Sequence, residues 1–356
     1  MHFLVPGDPL ARTGGYAYDR RIVAGLRALG HAVQVHALDA SFPHPDDAAL
    51  EAARGVLNAL PSDAIVVIDG LALGAMPEVV ATEAARLRLI ALVHHPLAAE
   101  TGLDESRRRA LFASEQAALA QVRKVIVTSP PTAAALERYG VARERVEIIE
   151  PGTDHPAAGT ASVSAPAPAV AVPPVALLCI ATVVPRKGHL LLLEALAGLP
   201  ETSWRLDCIG SLDRDPGHAV AVARRIEQLG ISARVVMHGE CDEATLDRAW
   251  PAAEVFVLPT LYEGYGMAVA EALARGLPII ATRTGGIAAM VGDDAGRIVE
   301  PGDAAALGAA LGAVIRDPEL RASMAGAARL RATALPQWSA AVRAWAAVLA
   351  AVGAEA

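Results

Sequence analysis

Short, continuously apolar runs alternate with amphipathic stretches along most of the chain. The first run is HFLVP at residues 2–6, followed by a loop and a helical stretch over residues 16–29. Ile22, Val23, Leu26 and Leu29 give that stretch one apolar stripe, and Gly30 is its expected C-terminal stop. Strand-like runs recur at residues 32–38, 64–70, 88–95, 124–129 and 146–150, with helical segments near 46–60, 76–86, 104–121 and 131–139. Apolar strands of this length separated by helices predict a parallel sheet covered on both faces.

From Pro151 to Pro174 the texture changes to Ala, Pro, Gly, Ser and Val, a linker composition that is semi-rigid where proline is dense. The alternation then restarts. Strands are expected at 175–182, 204–210, 234–240, 254–260 and 277–282, and helices at 187–199, 217–230, 242–252 and 266–276. Beyond Asp303 the pattern is helical. A chain of 356 residues is about twice a typical domain. Two Rossmann-like α/β domains, 1–155 and 175–335, are therefore expected to face across a cleft. An Ala/Pro-rich linker at 156–174 joins them, and a terminal helix at 336–356 packs back on the first.

Composition narrows the function. The chain is 53% hydrophobic but only 4% aromatic, with a formal net charge of −8 and a mean hydropathy of +0.36. That balance gives no footprint for nucleic acid, which needs a concentrated basic face. Arg107, Arg108 and Arg109 form the strongest basic cluster, read as a solvated helix face, with contact to an anionic membrane or substrate as the other reading. Cys179, Cys208 and Cys241 are too far apart for a metal knuckle and odd in number for a disulfide framework, so they read as reduced thiols packed as small hydrophobes. Residues 163–185 carry no acid or base, but Pro166, Pro168, Pro173 and Pro174 break any spanning helix. A cytoplasmic protein without a transmembrane segment is expected.

In parallel α/β sheets ligands sit outside the carboxyl ends of the strands, which directs attention to the strand-to-helix turns. The stretch LYEGYGMAVAE places Glu263 and Glu271 around Gly264, Tyr265 and Gly266. Glycines let backbone approach a ligand, and the first N–H groups of the following helix suit a phosphate or sugar oxygen. Glu271 lies further into that helix, within reach of vicinal hydroxyls such as those of a ribose. Lys187, in VVPRKG, stands where an ammonium neutralises a diphosphate. Gly14 and Gly15 precede a helix as a second anion-friendly turn, without the G-x-G-x-x-G spacing of a nicotinamide or flavin fingerprint. His94 and His95 end a strand, with no zinc-ligand spacing around them. Asp213-Arg214-Asp215 reads as an N-capping loop rather than a metal-holding D-x-D triplet.

Assembled, these residues resemble a retaining glycosyltransferase of family 4 (glycosyl transferases group 1) with the GT-B fold. The paired glutamates Glu263 and Glu271, PRKG around Lys187, TGG at 284–286 and AGRIVEPGD at 295–303 carry the resemblance. It implies that Glu271 binds the donor ribose and Glu263 the donor sugar, while backbone at Gly264, Tyr265 and Gly266 lines sugar and phosphate. Lys187 then holds the diphosphate, Gly14 and Gly15 approach it from the first, acceptor-side domain, and His94 lies beside the sugar, with His95 as the adjacent alternative. Thr182 occupies a place where the family usually has an arginine, and Arg186 is the candidate to compensate. The implied reaction is retaining transfer of a hexosyl group from a nucleoside diphosphate sugar to an acceptor that the sequence does not identify, with no metal or other cofactor. A GT-B-like binding subunit without activity is the first alternative. A glycoside hydrolase, the second, leaves Lys187 without a role. Asp69 and the segment 96–104 are candidates for the acceptor side.

Overall fold

The computed structural model describes residues 1–155, 174–200 and 203–354. The linker expected at 156–174 lies outside the described residues except for Pro174. The chain divides into two compact units, one of Met1–Gly152 with Pro336–Ala356, the other of Thr153–Leu335.

The first unit carries six strands: β1 His2–Pro6, β2 Gln34–Leu38, β3 Ile65–Asp69, β4 Arg88–Val93, β5 Lys124–Val127 and β6 Val146–Ile148. They lie in the order β2-β1-β3-β4-β5-β6, every pair parallel. Consecutive residues such as Val66, Val67 and Ile68 are all fully buried. Both sheet faces are thus covered by helices, which is why the runs read as continuously apolar rather than alternating. Each such side chain taken from water stabilises by about 1.5–3 kcal/mol. The last helix, Trp338–Ala354, belongs to this unit. There the buried Trp345 indole donates to the Tyr18 hydroxyl at 2.7 Å, and that hydroxyl donates to the Ile149 carbonyl at 2.9 Å.

The second unit holds β7 Val175–Ile180, β8 Trp204–Ile209, β9 Val235–Gly239, β10 Val255–Leu258, β11 Ile279–Thr282 and β12 Gly296–Val299. Their order is β12-β11-β10-β7-β8-β9, again all parallel. β12, with the sequence GRIV, was not expected as a strand because its glycine and arginine interrupt the apolar run. The short helices Gly70–Leu73 and Ile287–Val291 also escape periodicity, being at most about one turn long.

Each sheet has one topological switch point, where strand order reverses and a crevice opens at the carboxyl ends. In the first unit it falls where β1 adjoins β3, and in the second where β7 adjoins β10. Among the described residues no helix is long and apolar enough to cross a membrane.

Candidate active site

In the second unit, the loops leaving β7 and β10 run side by side because their strands are parallel neighbours. They are stitched together by backbone. The Leu261 N–H donates to the Arg186 carbonyl at 2.7 Å, and the Thr260 hydroxyl is 3.1 Å from the same carbonyl and 2.7 Å from that of Tyr262. Arg186 donates from Nη1 to the Tyr262 carbonyl at 2.9 Å, so its guanidinium braces the turn. Beside it, Lys187 Nζ meets Glu263 Oε2 at 2.5 Å, with the two side chains 16% and 17% exposed. Thr182 lies half-buried just beyond β7, on the same loop.

A third loop, after β11, closes against this turn. Gly285 has φ +50, and a Cβ there would collide with the Glu263 and Gly264 carbonyl oxygens. Only glycine lets the two backbones touch, which explains TGG as packing. Gly266 begins the helix Met267–Ala274, which has no side-chain cap. The first N–H groups of a helix lack intrahelical partners and, with the helix dipole, favour anionic oxygen. Tyr265 is buried beneath the turn, and Glu271 is half-buried further along that helix. Arg186, Lys187, Glu263, Gly264, Tyr265 and Gly266 thus converge at the switch point. In a mostly buried ion pair the cost of desolvation offsets much of the attraction, so stability alone is a weak reason for Lys187 and Glu263 to stand here.

The first unit builds a different constellation at its own switch point. Thr13 caps the helix Gly14–Ala28, which therefore begins at Gly14 rather than at residue 16. Asp69 ends β3 and His94 follows β4. His94 Nε2 lies 3.2 Å from Asp19 Oδ1 and 3.7 Å from Asp69 Oδ2. A Cβ at Gly15 would stand 3.3 Å from His94 Cδ2, so the helix start rests on the imidazole. The Tyr18 ring meets it edge-on, with centroids 5.5 Å apart. Asp69 also accepts the Leu71 N–H at 2.8 Å. Burial, then the neighbouring Asp19 charge, push the Asp69 carboxyl up to about 7 against the opposing pull of His94. Burial would lower the His94 pKa, but the Asp19 hydrogen bond and the two carboxylates outweigh it and raise it. Asp69 and His94 thus hold their protons more tightly here than they would in water.

His95 turns instead to Glu100, with Nε2 to Oε2 at 3.5 Å. Two functional candidates had not been singled out. Asp19 sits three, four and seven residues before Ile22, Val23 and Leu26, on the buried stripe, and that position is the signal that distinguishes it from a surface acid. Glu115 is 1% exposed, takes the Leu97 N–H at 2.9 Å, and thereby holds the segment 96–104; burial pushes its carboxyl up to about 7. Asp215 caps the helix Pro216–Gln228 by accepting the His218 N–H at 2.9 Å, and the Asp213 N–H donates to Ser211 Oγ at 3.2 Å. Arg108 and Arg109 pair with Glu105 on an exposed helix face.

Comparison with known proteins matches two family profiles to this architecture. Glycosyltransferase Family 4 matches residues 17–155, and Glycosyl transferases group 1 matches residues 168–331. The chain is similar to an MMP alpha-(1->4)-mannosyltransferase of Mycolicibacterium hassiacum, 29% identical over 319 residues that cover 84% of this chain and 73% of that protein. It spans about half the length of the D-inositol 3-phosphate glycosyltransferases it also matches. Among solved structures it is similar to sucrose-phosphate synthase from Thermosynechococcus elongatus, with a TM-score of 0.81, 23% identity, and 99% and 98% of the two chains covered. It is also similar to Anabaena HepE in complex with UDP and glucose, with a TM-score of 0.75, 17% identity, and 99% and 100% covered. At these identities the structural likeness establishes the fold.

Proposed function

The chain belongs to glycosyltransferase family 4 and has the GT-B fold, and we propose that it transfers a hexosyl group from a nucleoside diphosphate sugar to an acceptor hydroxyl, with retention at the anomeric carbon and without a metal ion. The observation that carries this reading is the Lys187–Glu263 pair set beside the Gly264–Gly266 turn at the switch point of the second unit.

In this proposal the donor diphosphate takes Lys187 from Glu263. Glu263 then accepts hydrogen bonds from the sugar hydroxyls, and Glu271 from the ribose. Lys187, the helix start at Met267 and the turn at 264–266 stabilise charge that builds on the leaving phosphate, where electrostatic catalysis is most effective. Inversion needs a base on the acceptor side, opposite the leaving group. The signature acids are otherwise engaged, Glu263 with Lys187 and sugar, Glu271 with ribose. That supports a path in which the departing phosphate oxygen takes the acceptor proton on the same face, through an oxocarbenium-like state. His94, Gly14 and Gly15 keep the donor-side roles that the family resemblance gives them, as part of the proposal.

A relative named for mannosyl transfer and a fold neighbour solved with UDP and glucose make nucleoside diphosphate mannose and UDP-glucose the first donors to test. Donors incubated with the protein in excess EDTA should release nucleoside diphosphate at an unchanged rate. Loss of release with EDTA, restored by magnesium or manganese, would overturn metal independence. Tight donor binding with no release, even with acceptor sugars present, would assign a binding subunit instead.

A further inference from the structure

Behind the Thr182–Gly188 loop, the second unit buries three groups that the reaction does not use. β7 and β8 pair in register with Cys179 opposite Cys208, so strand pairing joins two thiols that lie far apart in sequence. His189 opens the helix His189–Ala197, which follows β7. One ligand atom from each of the three lies within 4.8 Å of the other two. Exposure is 0% for Cys179, 3% for Cys208 and 2% for His189.

A pair of buried thiols alone is ordinary packing. The imidazole is not. Neither ring nitrogen of His189 finds an oxygen or nitrogen partner among the described residues, and the ring bears on the Cys179 sulfur. Leaving a buried donor or acceptor unsatisfied costs roughly 1–3 kcal/mol, and apolar side chains would fill the same space without that cost. Two sulfurs and a histidine nitrogen are the donor set of soft, thiophilic cations.

We propose that Cys179, Cys208 and His189 form a binding site for a thiophilic divalent cation, with Zn²⁺ as the physiological candidate. Tetrahedral zinc, with bonds of about 2.3 Å to sulfur and 2.0–2.1 Å to nitrogen, sets its ligand atoms roughly 3.5–3.8 Å apart. The cluster therefore closes on an ion by a contraction of at most about 1 Å, within the reach of side-chain rotation. Charge decides between metals. Both thiols lose their protons to the buffer on binding, and two thiolates with a neutral imidazole then exactly offset a divalent ion. Cu⁺ would leave a net negative charge in a dry site, which is costly.

The test is titration of the reduced, full-length protein with Co²⁺, reading the thiolate-to-cobalt charge-transfer absorption, followed by displacement with Zn²⁺. Wild type and Cys241→Ser should both take one equivalent. Cys208→Ala and His189→Asn should each weaken binding by at least the 10- to 100-fold that loss of an outer-shell partner costs. No charge-transfer band in wild type, a band that survives Cys208→Ala, or one that requires Cys241 overturns the site. Should Cys208→Ala fail to fold, alkylation of the wild-type protein in enough denaturant to open the second unit decides the matter: Zn²⁺ should slow labelling of Cys179 and Cys208 but not of Cys241, and equal rates with and without Zn²⁺ refute the proposal.

Discussion

In the first unit two acids share one imidazole at the switch point, Asp19 and Asp69 being 4% and 2% exposed and the His94 side chain 20% exposed. In the second, Lys187 and Glu263 keep 16% and 17% of their side chains in solvent and close on each other. The first arrangement must settle its charge internally, so protons are shared and pKa values move. The second matches one cation with one carboxylate at a strand end, so either member can turn to a charged ligand. An excess of carboxylates moves protons; a one-to-one ion pair leaves its members to exchange partners with a charged substrate.

The largest expected effect is on the ion-paired site. Lys187→Ala should lower kcat by about 10²–10³, the usual cost of removing one group that stabilises charge in a transition state. Steady-state rates with the best donor check it, and a loss below fivefold would remove Lys187 from the leaving-group side. Glu271→Gln comes next. One charge-assisted hydrogen bond is worth roughly 1.5–3 kcal/mol, or about ten- to a hundredfold in donor affinity. Calorimetry with the nucleotide sugar should show that weakening, and an unchanged affinity would free Glu271 from the ribose.

The buried cluster gives the smallest effect and a different one, in stability. Asp69 holds its proton to about 7 in the folded chain, against 3.8 as the ordinary value. Between those values the native state binds the extra proton, so this group's contribution falls as pH rises. His94 is raised too, and its contribution is likewise lost as pH rises through its folded pKa. Asn at 69 keeps the shape and the cap on Leu71 but has no proton to lose. Asp69→Asn should therefore leave Tm unchanged near pH 5 and raise it at pH 8, by roughly 2–4 °C for each kcal/mol recovered. A mutant less stable than wild type at pH 8 would mean that the Asp69 carboxylate is stabilising.

The same contrast decides what the sequence made legible. Strands buried on both faces announce themselves as apolar runs, and the fold class follows from their alternation with helices. That Lys187 and the Glu263–Gly266 turn come together was equally readable, because parallel strands deliver their following loops to the same end of the sheet. The Asp19–His94–Asp69 cluster was visible only in part. His94 was singled out as a strand-end histidine, and Asp69 only as a candidate for the acceptor side. Asp19 was passed over, although its place on the apolar stripe of Ile22, Val23 and Leu26 marked it as buried. Glu115 and the Cys179–Cys208 pairing depend on tertiary contacts and strand register, which no local pattern encodes. β12 was missed because a four-residue strand with glycine and arginine has no periodicity to read.

The central claim is retention by leaving-group chemistry at the Lys187–Glu263 turn, and proton NMR tests it most directly without an acceptor. An α-linked nucleotide sugar hydrolysed slowly by the protein should give the α anomer first, before mutarotation equilibrates the free sugar. The β anomer as first product would contradict the account, even with glycosyl transfer itself established.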